Sequence, residues 1–353
     1  MSTPAPRFGV WTNVHGTWGS FRHPDDPVDA SWARNRAQVL ELEELGYDST
    51  LIAQHTINPL GHDYDQLEAW SATAALAAIT ERIELITAIK PLLYHPVVLA
   101  KQLTQIQEIS GGRASINLVN AWYRPELERA GIPFPAHDER YAYGREWLEI
   151  VTRLAAGETV RFDGRHFSID DYAIRPSGAL PAPRVYGGGE SEAGRALLAD
   201  RADAYFLNGR PLEEVRDVVA DLRRRPRSRR SPLRFALAAF VIARDSDEEA
   251  QEELARGLGR VEADHREWQE VFEGADRDAV MFQRLQAIPA VGSNGGTAAG
   301  LVGSYDAVAE RILAFNEAGI ETFMLQFQPL EAETRRFAHE AIPRVRRRVA
   351  VAA

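Results

Sequence analysis

Short apolar runs rich in β-branched residues alternate with amphipathic stretches along most of the chain, and this alternation is what most constrains the fold. Eight of the runs are predicted to be strands, at residues 7–12, 48–53, 82–89, 114–119, 184–186, 204–207, 234–243 and 322–326. Strands that alternate with helices of about 10–15 residues form parallel sheets. Eight such units predict a closed (β/α)8 TIM barrel of the α/β class rather than an open doubly wound sheet. The sequence also lacks a GxGxxG motif opening a βαβ unit, which weighs against a dinucleotide-binding fold.

The 353 residues are predicted to form a single barrel domain with insertions at about residues 13–30, 160–172 and 262–301. The first insertion is rich in Gly, Pro and Asp, and the third combines polar helical stretches with a glycine-rich segment. Both follow predicted strands, so we expect them to lie over the carboxyl-terminal mouth of the barrel. The second insertion alternates in polarity and turns at Asp163-Gly164, which predicts a β-hairpin.

Charge and residue content exclude several classes of protein. The 41 Lys and Arg against 51 Asp and Glu give a net charge of −10, whereas nucleic-acid binding needs a basic footprint. The basic run at 223–230 is interpreted as a solvated loop or, alternatively, as an anion or RNA contact.

The absence of cysteine excludes thiolate nucleophiles, iron–sulfur clusters and zinc fingers. The nine histidines show no HExxH spacing, so no metal site is expected. No apolar run approaches the ~20 residues that span a bilayer, and no signal peptide is evident. We expect a cytoplasmic protein that binds neither nucleic acid nor membrane.

Polar and aromatic side chains follow the predicted strands, where a barrel carries its active site. They are Asn13, His15, Gln54, His55, Lys90, Tyr94, Asn117, Asn120, Trp122, Arg124, Glu126, Asn208, Arg210, Gln326 and Phe327. This set is rich in amides and aromatic rings and poor in acid/base pairs. It suits a planar ligand better than hydrolysis, and no GxSxG motif is present.

The segment 187–191 (Gly-Gly-Gly-Glu-Ser) lies between a short strand and a helix. Glycines there let backbone amides approach an anion, and a helix N-terminus favours negative charge. The alternative is a tight strand-to-helix turn in which Ser191 is only an N-cap. Glu190 complicates the phosphate interpretation, because its carboxylate would repel a phosphate unless it points away.

Six segments together resemble the bacterial luciferase-like flavin monooxygenases, in the branch of the alkanesulfonate, dimethylsulfone and pyrimidine monooxygenases. They are 106–122 (IQEISGGRASINLVNAW), 137–141 (HDERY), 162–167 (FDGRHF), 186–193 (YGGGESEA), 204–209 (AYFLNG) and 300–305 (GLVGSY). They occur in family order over nearly the whole chain. The resemblance implies a (β/α)8 barrel with a mobile loop. It also implies a two-component system, in which a separate NAD(P)H:flavin reductase supplies FMN as FMNH2. The reduced flavin then reacts with O2 to a flavin (hydro)peroxide that oxygenates or cleaves a small organic molecule.

The resemblance also implies which residues bind the flavin. They are Ala53, Gln54, Asn117, Glu126, Arg140, Tyr141, Gly188, Gly189 and Ser191. Asn117 matches the family residue at which reduced flavin meets oxygen, while Ser191, Arg140 and Tyr141 match the phosphate side. His15 or His55 is a candidate for proton transfer, because imidazole titrates near neutral pH, and the alternative is a structural role.

The departures from the family concern the substrate. Where alkanesulfonate enzymes carry an Arg and a His on the seventh strand, this chain has Ala238 and Phe240, and neutral Ser293-Asn294 falls near the Arg of their mobile loop. An anion buried without a cation costs several kcal/mol, so we expect a neutral, dimethylsulfone-like substrate. The candidate pocket residues are Trp11, Trp18, Trp122, Phe240 and Phe327, each of which could instead be ordinary core.

Two alternatives remain open at this point. One is reduced-flavin-dependent cleavage of a heteroaromatic ring or of a flavin, as in pyrimidine monooxygenases or riboflavin lyases. The other is a flavin-binding barrel without turnover. The resemblance further implies a homodimer or homotetramer, with the alanine-rich helix at 67–80 as the candidate interface.

Overall fold

The computed structural model describes residues 4–264 except 60, 62 and 179, then residues 269, 271 and 273–276, and finally residues 290–352. The strands are β1 (Arg7–Trp11), β2 (Ser49–Ile52), β3 (Glu84–Ile89), β4 (Ala114–Leu118), β5 (Val160–Asp163), β6 (Ser168–Tyr172), β7 (Val185–Gly187), β8 (Ala204–Leu207), β9 (Arg234–Phe240), β10 (Ile242–Arg244), β11 (Val302–Ser304) and β12 (Ile320–Gln326). Eight of these strands pair in parallel and close a barrel in the order β1-β2-β3-β4-β7-β8-β9-β12, with β12 pairing back to β1. The predicted (β/α)8 barrel is therefore confirmed.

Helices cover the outside of the barrel. They are α1 (Trp32–Glu44), α2 (Ala69–Ile79), α3 (Pro96–Ile109), α4 (Arg124–Glu128), α5 (His137–Ala155), α6 (Glu192–Arg201), α7 (Leu212–Arg224), α8 (Asp247–Ala263), α9 (Tyr305–Glu317), α10 (Leu330–Arg336) and α11 (Ile342–Ala352), with a π-helical turn at Phe337–Ala341. Local sequence explains their ends. Ser31 caps α1 by accepting a hydrogen bond from the Arg34 backbone N–H, and Gly46 follows that helix with φ of +80°.

Alternation along the strands divides the core into two layers. Phe8, Phe323 and Leu325 point outward and pack under the helices. Trp11, Leu51, Ile86, Phe206, Ala236, Ala238 and Met324 point inward and fill the barrel. A period of two residues in each strand accounts for both sets. Trp11 and Phe206 are the inward residues nearest the carboxyl ends of their strands, so they reach the mouth.

The predicted strand at 234–243 is two strands in the structure. Val241 still donates its backbone N–H to Gln326 O at 3.1 Å, but Ile242 donates to Leu301 O at 3.0 Å. The chain changes partner between these residues, and β10 pairs with β11 outside the barrel. The sequence shows one continuous apolar run because both strands are buried.

Two of the three predicted insertions, 13–30 and 160–172, lie entirely within the described residues. Residues 13–30 are largely buried against the mouth, and β5 and β6 form an antiparallel hairpin within 160–172. Of the predicted insertion 262–301, residues 265–268, 270, 272 and 277–289 lie outside the described residues. In the described part of the chain, no helix has both the length and the apolar character needed to cross a membrane.

Candidate functional site

The carboxyl ends of the barrel strands surround a cavity of about 250 Å³. Most of the site residues predicted from sequence line it: Trp11, His15, Trp18, Ala53, Gln54, His55, Asn117, Trp122, Arg140, Tyr141, Gly188, Gly189 and Ser191. Phe206, Asn208, Ala238, Asp276, Ser293 and Asn294 complete much of the wall. The cavity therefore has an apolar aromatic side and a polar side.

At the polar side, the glycine segment 187–191 leads into α6. Ser191 caps this helix, because its Oγ accepts a hydrogen bond from the Gly194 N–H at 3.2 Å. The Tyr141 hydroxyl also hydrogen-bonds to Ser191, and burial raises the pKa of Tyr141, so this phenol stays protonated. A Cβ at Gly189 would lie 3.0 Å from the Tyr141 hydroxyl oxygen and 3.2 Å from Gly194 Cα. Glycine therefore keeps open a space bordered by a helix N-terminus and two hydroxyl groups.

Glu190 does not leave a free negative charge in this space. Its carboxylate forms an ion pair with the buried guanidinium of Arg210 and accepts a hydrogen bond from Asn208 Nδ2 at 2.8 Å. Arg210 is in turn oriented by donating from Nε to Asn208 O at 3.0 Å. The neighbouring cation removes the electrostatic objection that the sequence raised against an anion at 187–191.

Arg140 lies beside Tyr141 on the first turns of α5 and is almost fully buried. It donates to Pro135 O at 2.7 Å and to Asn120 O at 3.2 Å, and its guanidinium carbon lies 4.2 Å from the centre of the Phe134 ring. Its remaining terminal nitrogen forms an ion pair with Asp276. Asp276 could not be identified from the sequence, because nothing in the polar stretch around it distinguishes it from a solvated carboxylate.

The middle of the cavity carries buried polar atoms that have no hydrogen-bond partner among the described residues. They are Asn117 Oδ1, Gln54 Nε2 and Trp11 Nε1. Gln54 is held in place by accepting a hydrogen bond from the Lys90 backbone N–H at 2.6 Å. A buried polar group without a partner costs about 1–3 kcal/mol, so this arrangement favours a ligand that offers both donors and acceptors.

Two neutral histidines face the cavity. Burial and the neighbouring His55 lower the pKa of His15 to about 3, and its ring lies 4.0 Å from that of Trp18. Burial and Lys90 lower the pKa of His55. His55 Nδ1 lies 2.9 Å from Lys90 Nζ and 3.2 Å from Glu126 Oε2. Both imidazoles are therefore uncharged at neutral pH, when each can donate at one nitrogen and accept at the other.

Glu126 lies behind His55 and is not among the described residues that line the cavity. Its carboxylate accepts the Thr56 N–H at 2.6 Å and forms an ion pair with Lys90, and its side chain is fully buried. In this structure the Glu126 carboxylate contacts other groups of the protein, and its contact with a flavin stays a prediction. Lys90 is among the polar residues that the sequence places after a strand, but no local sequence pattern indicates its ion pair with Glu126.

Phe240 and Phe327 also lie away from the described cavity lining, and they need correction as pocket residues. Phe327 shares its strand face with Phe323 and Leu325, so it points outward and packs 5.5 Å from Phe337. Phe240 shares the inward face of Ala238, but residues 291–292 cover it. A Cβ at Gly292 would lie 2.5 Å from Phe240 Cδ2.

The aromatic side of the cavity is formed by Trp11, Trp18, Trp122 and Phe206, and the Trp11 and Trp18 rings are 4.6 Å apart. Ser293 and Asn294 close this side. Ser293 donates its N–H to Gln326 Oε1 at 3.0 Å, and Asn294 O accepts from Gly209 N–H at 2.7 Å. These contacts fix neutral groups beside the apolar wall. No cluster of three or more His, Cys, Asp or Glu that could hold a metal ion occurs among the described residues.

Four similarities to known proteins are found. The family described as "Luciferase-like monooxygenase" matches residues 10–322. An FMNH(2)-dependent dimethylsulfone monooxygenase of Pseudomonas putida is 29% identical over 335 residues, covering 92% of both chains. The crystal structure of DmoA from Hyphomicrobium sulfonivorans superposes with a TM-score of 0.78 at 19% identity, covering 98% of this chain and 89% of that chain. The structure of riboflavin lyase (RcaE) with modified FMN and substrate riboflavin gives a TM-score of 0.75 at 20% identity, covering 98% of this chain and 92% of that chain.

Proposed function

Because the chain belongs to the luciferase-like monooxygenase family, we propose that it is a monooxygenase that uses reduced FMN and O2 to oxygenate or cleave a small neutral organic molecule of the dimethylsulfone type. We propose further that a separate NAD(P)H:flavin reductase supplies the FMNH2. The proposal of a neutral substrate rests on the charged residues that line the cavity. The cations among the described cavity-lining residues, Lys90 and Arg140, each form an ion pair with a carboxylate of the chain.

The residues present fit a flavin mononucleotide. The α6 N-terminus with Gly188, Gly189 and Ser191 offers backbone and hydroxyl groups to a phosphate, and Tyr141 adds a second hydroxyl. A phosphate there would also lie near Arg140. The partner-free atoms of Asn117 and Gln54, together with the Ala53 surface, supply acceptor, donor and apolar contact for the ring system.

The same balance of charges argues against an anionic substrate. A sulfonate in the aromatic half of the cavity would meet Trp11, Trp18, Phe206 and Ala238, while the nearby cations are already neutralised by carboxylates. Burying a charge without a partner costs several kcal/mol. A sulfone loses far less on transfer, because it carries no net charge.

When bound, reduced FMN supplies two electrons to O2, so that one oxygen atom enters the substrate and the other leaves as water. The chain contributes binding, orientation and exclusion of water. Asn117 would orient the reacting edge of the flavin through its amide. Trp11, Trp18 and Trp122 would hold the substrate against that edge and exclude solvent. His15 and His55, both neutral, would hold protons at defined nitrogen atoms beside it.

The test is a substrate panel with FMN, NADH and an unrelated flavin reductase under air, read by mass spectrometry. It contains dimethylsulfone, an alkanesulfonate, a pyrimidine and riboflavin. Turnover of the sulfone without turnover of the sulfonate supports the proposal. A product from the pyrimidine or from riboflavin assigns the chain to ring or flavin cleavage instead, and hydrogen peroxide alone indicates a flavin-binding barrel without oxygenase activity.

We also propose that the protein is a homodimer or homotetramer that packs through the alanine-rich helix α2. Small side chains there would let a second helix approach closely. Light scattering of the purified protein measures the assembly directly, and a monomer at micromolar concentration would refute this part.

A further inference from the structure

Lys90, His55 and Glu126 form a buried cluster behind the cavity wall, which we call the Lys–His–Glu triad. The Lys90 and Glu126 side chains are 2% and 0% exposed, and they form an ion pair. Lys90 Nζ also lies 2.9 Å from His55 Nδ1, while Glu126 Oε2 lies 3.2 Å from the same nitrogen. The other oxygen of Glu126 is held by the Thr56 N–H at 2.6 Å and by the Thr56 hydroxyl at 3.2 Å.

The Lys90–Glu126 ion pair and the burial of the triad indicate its charges. Burial alone would raise the pKa of Glu126, but Lys90 and His55 outweigh it and lower that pKa, so the carboxylate is ionised. Burial lowers the pKa of Lys90, and the Glu126 charge opposes that decrease and favours the ammonium form. His55 is neutral at neutral pH, because burial and the ammonium lower its pKa and outweigh the opposing effect of Glu126.

A neutral imidazole has one proton, and the triad determines which nitrogen carries it. If Nδ1 carried the proton, its N–H could donate to Glu126 Oε2 at 3.2 Å, but it would also lie 2.9 Å from an ammonium group, which has no lone pair to accept it. If Nδ1 is bare, the ammonium donates to it and to Glu126 at the same time. The second arrangement gives Nδ1 a donor and gives Lys90 two acceptors, and it leaves the proton on Nε2.

We propose that Lys90 and Glu126 are positioning residues that hold His55 as the Nε2–H tautomer, so that the imidazole presents a hydrogen-bond donor rather than a base to the cavity. Among the described residues, Nε2 has no hydrogen-bond partner, and His55 is one of the residues that line the cavity. The use of this hydrogen-bond donor in oxygenation rests on the proposed function, whereas the assignment of the tautomer does not.

The triad can also replace a proton that leaves Nε2. As the Nε2 proton moves to an oxygen atom in the cavity, Nδ1 takes a proton from the Lys90 ammonium. The products are a neutral His55 protonated at Nδ1, a neutral Lys90 amine and the unchanged Glu126 carboxylate. One proton is delivered, and no imidazolium forms in the buried site.

NMR of the flavin-free protein labelled with 15N-histidine measures the tautomer, and the missing signals of His55→Gln assign it. We expect a protonated Nε2 and an unprotonated Nδ1 in the wild type. In Lys90→Met, Glu126 becomes the sole partner of Nδ1, so the proton should move to Nδ1. Lys101→Met is the matched control, because Lys101 is the other lysine of the chain, lies on α3 and is not among the described residues that line the cavity. A wild-type proton on Nδ1, or unchanged His55 shifts in a folded Lys90→Met, would overturn the proposal.

The wild-type spectrum decides the question even if Lys90→Met does not fold. In Lys101→Met, Lys90 is the sole lysine, so a 15N-lysine spectrum reports its protonation without ambiguity. An ammonium signal at neutral pH supports the arrangement, and a neutral amine there overturns it.

Kinetics test the use of the donor separately. With a substrate from the panel, Lys90→Met should lower kcat about 100-fold with little change in KM. In the His55→Gln background it should lower kcat no further, and Lys101→Met should leave kcat unchanged. A second 100-fold loss in the His55→Gln background would indicate a structural role. If no compound of the panel is oxygenated, the proposed function fails while the tautomer measurement still stands.

Discussion

Replacing Ser191 with Ala tests the phosphate end of the cavity, because this side chain does two separable things. Its Oγ caps α6 through the Gly194 N–H, and it faces the cavity beside Tyr141. Loss of an N-cap costs about 1 kcal/mol of stability. Loss of a hydrogen bond to a charged phosphate costs about 1.5–3 kcal/mol of binding, which corresponds to a Kd about 10- to 150-fold higher.

The assay is an anaerobic titration with FMNH2 and, in parallel, with reduced riboflavin, which lacks the phosphate. Ser191→Ala should weaken FMNH2 binding by that factor and leave riboflavin binding nearly unchanged. Ser304→Ala is the matched control, because Ser304 caps α9 through the Ala307 N–H at 3.3 Å and is not among the described residues that line the cavity. It should lower the thermal stability to a similar extent without changing either affinity. Equal weakening of FMNH2 and riboflavin, or an equal effect of the two serine variants on FMNH2, would refute the phosphate assignment.

Three further predictions follow from the site. Burial lowers the pKa of His15 to about 3, while the unfolded chain binds a proton at this residue near pH 6.5. As the pH falls from 6.5 toward 3, His15 should therefore lower the free energy of unfolding by about 1.4 kcal/mol per pH unit. His15→Gln should remove that part of the slope in urea unfolding from pH 7 to 4.5, and an unchanged slope would contradict the burial argument. Gly189→Ala places a Cβ 3.0 Å from the Tyr141 hydroxyl, so titration should show FMNH2 affinity at least about tenfold lower, and wild-type affinity would mean that the phosphate binds elsewhere. Asp276→Asn removes the carboxylate paired with Arg140 and should raise FMNH2 affinity up to about tenfold, while a decrease would show that Asp276 supports the site.

The barrel could be predicted from the sequence because its signals are local. Alternation of short apolar runs and amphipathic stretches, with caps such as Ser31 and Gly46, marks each unit. The end of β9 could not be predicted in this way. Both β9 and β10 are apolar, and the change of partner at Ile242 depends on Leu301, which is distant in the chain.

The candidate site could be predicted where a sequence motif determines the backbone conformation. The ion pairs and hydrogen bonds of individual side chains could not be predicted. The segment 187–191 and the start of α5 lie together as expected, because strand ends of a barrel meet at one mouth. Phe327 was assigned to the pocket against the alternation of β12, which places it outside. Glu126 forms an ion pair with Lys90, and Arg140 forms one with Asp276. Each pair joins residues far apart in the chain, so local sequence patterns do not reveal it.

The most direct test of the account is a single-turnover experiment with 18O2. FMNH2 is prepared anaerobically, bound to the protein with dimethylsulfone, and mixed with 18O2 in the absence of any reductase. We expect an organic product that contains one 18O atom per FMNH2 consumed, and no such product when an alkanesulfonate replaces the sulfone. Oxidation of all the FMNH2 to FMN with an equal amount of labelled hydrogen peroxide, and no label in any compound of the substrate panel, would contradict it.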